Sequence, residues 1–307
     1  MSKILVTGGA GFIGSNLVDC LIEKGNEVVI IDDLSSGKEE YINPQAKFYN
    51  LDICSEELSK VFAEEKFDYV YHLAAQIDVR KSVEDPVYDN KINVLGGLNI
   101  LENCRKNKVK KVIFASTGGA IYGETEEIPT TEYAPAYPIS PYGINKLVFE
   151  KYLNYYYQVH GLNYAVLRFA NVYGPRQFKG GEAGVIAIFI DNAVKDVESI
   201  MYGDGEQTRD FVYVGDVVRA LCLSREIECK GEINIGSSVE TNLIQLKEYI
   251  EKALGRPMKL KQEDARAGEQ RRSALSYKRA KDALNWEPEF DLEKGIAKTI
   301  EWTKNNQ

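Results

Sequence analysis

Short apolar runs and longer mixed stretches take turns along the first half of the chain. The runs are "KILVTG" (3–8), "EVVIID" (27–32), "KFYNLD" (47–52), "YVYHLA" (69–74), "KVIFAS" (111–116) and "YAVLRF" (164–169). β-branched and aromatic residues dominate them, and runs this apolar suit strands covered on both faces. Amphipathic stretches at 12–24, 55–65, about 84–106 and about 141–160 predict helices between them. Strand–helix alternation of this kind predicts an α/β fold with a doubly wound parallel sheet, here over residues 1–170. After Asn171 the rhythm changes. "VYGPRQFKGGEAG" reads as a loop. A helix near 184–195, strands at "SIMYGDG" and "EINIGS", and a strand running into a helix at "RDFVYVGDVVRALCLS" follow. "TNLIQLKEYIEKALG" predicts a helix from Thr241 as N-cap to Gly255, and Asp291 caps a last one. The expectation is a smaller mixed α/β domain over 171–307, with the chain free to cross between the two. A cleft between such domains commonly holds a ligand.

Length and composition narrow this picture without adding a function. With 307 residues, 44% hydrophobic and 27% charged, the chain has enough material for a large core. A net charge of −8 argues against nucleic acid as a partner, because phosphate backbones require clustered Lys and Arg. Five scattered cysteines with no CxxC point to reduced thiols rather than a disulfide framework. The N-terminus runs straight into "KILVTGG", and no stretch approaches ~18 apolar residues. These features predict a cytoplasmic protein with no membrane partner. His72 and His160 lie far apart with no ligand cluster, so no metal is expected.

Candidate chemistry begins at "TGGAGFIG". Gly8, Gly11 and Gly14 fall between a predicted strand and a predicted helix. Backbone can approach a phosphate there only without side chains, and a helix N-terminus offers free N–H groups. Asp32, at the end of the second strand, stands where a carboxylate meets a ribose diol and repels a 2′-phosphate, which favours NAD over NADP. Asp52 and Ile53 close the third strand, where an adenine could be held. Leu73, Ala74 and Ala75 close the fourth with small residues that let backbone near a pyrophosphate. In "PYGINK", Tyr142 and Lys146 share one helix face. An ammonium and an oxidised, positively charged cofactor ring both favour the phenolate, so the pair reads as a base for a hydroxyl proton. Ser116 or Thr117, at the preceding strand end, could hydrogen-bond the reacting oxygen.

These motifs carry a resemblance. "TGGAGFIG", "YHLAAQIDV", "STGGAIYGE", "SPYGINK", "RFANVYGPRQ", "GDGEQTRDFVYVGDV" and "RAGE" run from residue 7 to residue 269. Together they resemble the extended short-chain dehydrogenases/reductases, in the NAD-dependent sugar epimerase/dehydratase family. The resemblance implies a Rossmann-like fold, NAD, and 4-epimerisation of a UDP-hexose through a transient 4-keto sugar. It implies Tyr142, Lys146, Thr117 and Ser116 as the catalytic set. It adds cofactor contacts from Phe12, Ile13, Asp33, Leu34, Ser36, Gly37 and Asn93. It gives the nucleotide sugar to Asn171, Val185, Tyr202, Arg209, Arg266 and Glu269, beside Thr117 and Tyr142. A homodimer joined through the helices at 84–106 and 141–160 is also implied. Two departures stand out. Counting back from the "YG" pair, the family's hydroxyl position is Gly118, and we expect Thr117 to supply the hydroxyl. Seven places after Arg266, where a bulky tyrosine can limit sugar size, stands Ser273, which leaves room for N-acetylhexosamines. Dehydratase or decarboxylase chemistry would require carboxylates at 118–120, where Gly118, Gly119 and Ala120 stand. A uronic-acid epimerase or a non-catalytic NAD-binding sensor would share much of this pattern.

Overall fold

The computed structural model describes residues 1–177, 184–226, 231–265 and 270–306. The chain begins β1 (Lys3–Thr7), α1 (Phe12–Glu23), β2 (Glu27–Asp32), β3 (Lys47–Asn50), α2 (Leu58–Glu65) and β4 (Tyr69–His72). It continues through α3 (Val79–Glu84), α4 (Pro86–Asn90), a π-helical turn (Lys91–Gly96), α5 (Gly97–Lys106), β5 (Lys111–Thr117), α6 (Gly118–Ile121), α7 (Pro141–His160) and β6 (Asn163–Phe169). The second half is β7 (Asn171–Tyr173), α8 (Val185–Val194), β8 (Ser199–Tyr202), β9 (Thr208–Arg209), β10 (Phe211–Tyr213), α9 (Val214–Glu226), β11 (Glu232–Ile235), β12 (Thr241–Asn242), α10 (Leu243–Leu254), β13 (Leu260–Glu263), α11 (Lys278–Leu284) and α12 (Leu292–Asn305).

Seven strands form one parallel sheet in the order β11-β6-β5-β4-β1-β2-β3. The chain starts in the middle, builds outward to β3, then crosses to β4 on the other side of β1. The strand ends at β1 and β4 therefore open a crevice at the switch point, where doubly wound sheets bind ligands. Alternation along β1 explains the layers. Ile4 and Val6 face a core with Leu17, Val217 and Ile233, while Leu5 faces one with Phe62, Ile100 and Phe149. Each of these side chains is at most 1% exposed, and full burial of one stabilises by roughly 1.5–3 kcal/mol.

The six expected strands and the helices over α1, α2 and α7 are present, with ends shifted by a few residues. Three features differ from expectation. The single helix expected over about 84–106 is α4, the π turn and α5 in succession. Pro86 lacks an N–H and Asp85 caps a fresh start by accepting from Tyr88 N, so the chain begins a new helix there. The N-cap of α10 is Asn242, not Thr241. Asn242 and Gln245 form a reciprocal capping box, while Thr241 pairs with Arg209 in a strand. Finally, "EINIGS" returns to the large sheet as its seventh strand, alongside β6. Chain beyond residue 171 thus completes the first domain's sheet.

Candidate active site

The turn after β1 is built by close contact. Gly8 has φ +72°, and a Cβ on it would lie 2.7 Å from Ala74 N. A Cβ on Gly14 would lie 2.0 Å from the Gly8 carbonyl oxygen. The first turn of α1 therefore presses on the loop, and its N-terminal amides face a cavity of about 290 Å³. Ala74 N–H donates to Thr7 Oγ1 (3.2 Å), and that hydroxyl lies 2.8 Å from His72 Nδ1. The ends of β1 and β4 are locked together by this triad of groups. Burial and the nearby Lys146 charge hold His72 down at about 3, so its ring is neutral.

Asp32 faces the same cavity. Its carboxylate accepts from Ala10 N and Leu34 N, both at 2.9 Å, and burial raises its pKa. Each oxygen keeps a lone pair for a further donor such as a ribose hydroxyl. Gly11, Phe12, Ile13, Asp33, Ser36, Asp52, Ile53, Leu73 and Ala75 line the cavity with Gly8, Gly14, Asp32 and Ala74. Three expected contacts sit behind the lining. Leu34 anchors Asp32 through its N–H. A Cβ on Gly37 would meet Asp32 Oδ1 at 2.9 Å, so this glycine leaves space for the carboxylate. Asn93 uses both ends of its amide on the Gln76 backbone, at 3.1 and 2.9 Å. The cradle, the carboxylate and the small residues suit a dinucleotide.

At the far end of the cavity stand Tyr142, Lys146 and Ser116. Ser140 caps α7 by accepting from Gly143 N, and Pro141 fills its first turn, which fixes Tyr142 at the helix start. Lys146 is 3% exposed, donates to Ala115 O (3.1 Å), and lies 4.7 Å from the Phe114 ring centre and 5.8 Å from that of Tyr142. Burial lowers Lys146 to about 8, against the opposing pull of Asp89 and Glu150. Burial and the Asp89 charge raise the Tyr142 phenol, and the Thr117 hydroxyl lowers it by hydrogen bonding. The sequence expectation of a phenolate favoured by Lys146 is thus not met by the protein groups alone, because desolvation is the larger effect.

Ser116 and Thr117 separate cleanly. Ser116 Oγ donates to Glu150 (2.6 Å), whose two oxygens are gripped by Arg168 Nε (3.0 Å) and Nη2 (2.6 Å). That hydroxyl belongs to a buried ionic network under Lys146. Thr117 is the hydroxyl that meets the phenol. Gly118 has a physical reason as well. A Cβ there would lie 2.2 Å from Leu275 Cδ1, so the Leu275 side chain occupies the space.

Of the residues expected to hold the sugar nucleotide, Asn171, Val185, Tyr202 and Arg209 lie outside this cavity's lining. Asn171 N and Nδ2 both donate to Asp210 O, at 2.9 and 3.2 Å, next to Arg209. Tyr202 ends β8 opposite Glu263 of β13, and Val185 opens α8. Arg266 and Glu269 lie outside the described residues. The chain after them packs near α6 and β10: Gln270 Nε2 donates to Gly123 O, and Leu275 N donates to Asp210, which also accepts from Ser237 N. Sequence reasoning passed over Ile31, Ser35, Leu51, Ile77, Ile92, Ala115, Phe169 and Gln177, which also line the cavity. Most are plain apolar residues, but Gln177 ends the motif "RFANVYGPRQ", and its buried Oε1 has no hydrogen-bond partner.

Comparison with known proteins places this geometry. The model of the NAD dependent epimerase/dehydratase family matches residues 4–236. The chain is 49% identical over 304 residues to a putative UDP-glucose 4-epimerase of Methanocaldococcus jannaschii, covering 99% of each. The crystal structure of UDP-glucose 4-epimerase from Thermotoga maritima with UDP-glucose is similar at TM-score 0.97 and 47% identity, covering 99% of both chains. UDP-N-acetylglucosamine 4-epimerase from Methanobrevibacter ruminantium M1, in complex with UDP-N-acetylmuramic acid, gives TM-score 0.94 and 36% identity over 100% of this chain and 99% of that one. The chain belongs to the NAD dependent epimerase/dehydratase family.

Proposed function

We propose that the chain catalyses NAD-dependent 4-epimerisation of a UDP-hexose, UDP-glucose or UDP-galactose. The carrying observation is that one cavity runs from the glycine turn and Asp32 to the Tyr142–Lys146 pair. NAD, when bound, supplies the hydride acceptor that later returns the hydride. Asp32 holds the adenosine ribose, and the amides of α1 face the pyrophosphate. Tyr142 takes the proton from the sugar 4-hydroxyl, with Thr117 hydrogen-bonded to the same oxygen. Lys146 stabilises the phenolate and keeps the ring of Tyr142 in place. A 4-keto sugar forms, turns over in the pocket, and is reduced on its other face while Tyr142 gives the proton back. The net redox change is zero.

Turning the sugar demands a loose hexose pocket and a firm grip on UDP. Asn171, Val185, Tyr202 and Arg209 provide that grip, joined by Arg266 and Glu269. Arg suits the diphosphate because its planar fork matches two oxygens. Dehydration is disfavoured because positions 118–120 form α6 without a carboxylate. Ser273 is small, and Leu275, two residues on, touches Gly118 beside Thr117. This supports acceptance of UDP-N-acetylhexosamines, in line with the Methanobrevibacter relative. We assign the chain to cytoplasmic galactose metabolism as a homodimer. Along α7, Ile144, Tyr152, Tyr155 and Val159 fall on one stripe and are 36–58% exposed, an apolar face that a second copy would cover. Among the described residues no helix is long and apolar enough to cross a membrane.

The test is incubation of purified protein with UDP-glucose, UDP-galactose and the two N-acetyl sugars, with products resolved by NMR. Equilibration of a C4 pair without accumulation of NADH is expected. Loss of water or carbon dioxide, or no turnover of any sugar, would overturn the reading.

A further inference from the structure

We propose that Asp89 is a charge-setting, positioning residue for the Tyr142–Lys146 pair: a buried carboxylate, held by Gln76 and Asn145, that supplies the counter-charge for Lys146. The proposal rests on the reading of that pair as the acid–base machinery.

Asp89 lies on α4 and is 0% exposed. Its oxygens accept from Gln76 Nε2 at 2.7 Å and Asn145 Nδ2 at 2.6 Å. Both donors are neutral amides. Asn145 immediately precedes Lys146 on α7, and its own Oδ1 accepts from Asn90 Nδ2 (3.0 Å). Gln76 is fixed in turn, since Asn93 clasps its backbone N–H and carbonyl. The π turn beginning at Lys91 follows Asp89 and places Asn93 in this network. A carboxylate buried among amides is costly unless a cation answers it.

The surrounding charges leave one answer. From α7 come Tyr142, Lys146 and Glu150. Glu150 is matched by Arg168 of β6 through two hydrogen bonds. From β4 comes His72, whose ring is neutral. From β5 come the hydroxyls of Ser116 and Thr117, while Lys111 at the strand's other end donates to Ser224 O. From α3, Ser82 Oγ accepts from Tyr142 N (3.2 Å), while Lys81 turns its ammonium onto the Tyr88 ring at 4.6 Å. Lys91 of the π turn is exposed. Arg80 of α3 is exposed as well, so among the buried charged groups described around this helix start Lys146 is the cation that faces Asp89. Asp89 raises the pKa of both Lys146 and Tyr142, so it keeps the ammonium charged in a dry site and makes the phenol a stronger base.

The charge has a signature that packing lacks. Activity requires phenolate and ammonium together, so Tyr142 sets the acid limb of the pH–rate profile and Lys146 the alkaline limb. Asp89→Asn should move both limbs to lower pH, by roughly one unit each, with NAD content unchanged. Gln76→Lys, which brings a cation against the carboxylate, should move them the same way. A uniform loss of kcat with limbs in place, or limbs moving up or apart, would overturn the proposal. A second readout does not depend on the sugar. In NAD-loaded protein, tyrosinate absorbance referenced to Tyr142→Phe should titrate at lower pH in either variant. If wild type turns over no UDP-sugar but this titration shifts, the sugar reading fails and the Asp89 role stands. An unmoved titration refutes it.

Discussion

Tyr142 is harder to ionise in this pocket than in water, and its neighbours are arranged to offset that cost. Removing the hydroxyl with Tyr142→Phe should cut turnover by about 10²–10⁴-fold while bound NAD, measured after denaturing release, stays stoichiometric. The two candidate hydroxyls should part company. Thr117→Val is expected to lower kcat with little change in melting temperature. Ser116→Ala should lower stability by about 1–2 kcal/mol in urea titrations, because Glu150 loses a buried donor. Tyr142 and Lys146 stood out only beside the glycine turn, since an i, i+4 pair by itself is as readily an ordinary pair on a helix face. Gly118 was not readable, because what requires it is Leu275, far along the chain, and no local pattern records that contact. Gly118→Ala should therefore slow the enzyme and destabilise it, and adding Leu275→Ala should restore part of both losses in a double-mutant cycle.

The helix that bears Tyr142 and Lys146 is riveted to the sheet by charge. Glu150 and Arg168 are almost fully buried, 0% and 4% exposed in their side chains, and join α7 to β6. Arg168→Met leaves the Glu150 carboxylate unanswered and should destabilise by roughly 3–5 kcal/mol, whereas adding Glu150→Leu should recover much of that. Equilibrium unfolding of the wild type and the two variants measures it. The tie between β1 and β4 carries a pH dependence. His72 in the fold titrates at about 3 against a usual 6.5. Between those values the unfolded chain binds a proton that the folded chain does not, so stability falls as pH drops through that window and is unaffected above it. His72→Gln should flatten this part of the melting-temperature profile. Apolar patterning revealed most of these elements because strands buried on both faces read as unbroken apolar runs and one-faced helices repeat every ~3.6 residues. It missed the break at Pro86 and the π turn, since apolar residues continue across both and only the hydrogen-bond pattern changes.

Considered entire, the molecule is less divisible than its sequence rhythm suggests. The break after Asn171 was visible, but four residues of "EINI" could announce a strand without saying which sheet receives it. The apolar stripe on α7 offers a second outward test. If two copies join there, Tyr155→Glu should convert a dimer to a monomer in light scattering while each copy keeps its NAD. Placement of β11 at the sheet edge also bears on synthesis. When β6 leaves the ribosome its outer N–H and carbonyl groups are bare, and Tyr122, which holds Arg168, still lacks Asn234 as acceptor. A nascent chain halted before Ile235 would carry a sticky rim ready to pair with a neighbour. The sheet begun at β1 is complete only once residues 232–235 have been made, so translation must run some sixty residues past β6 before its edge is covered.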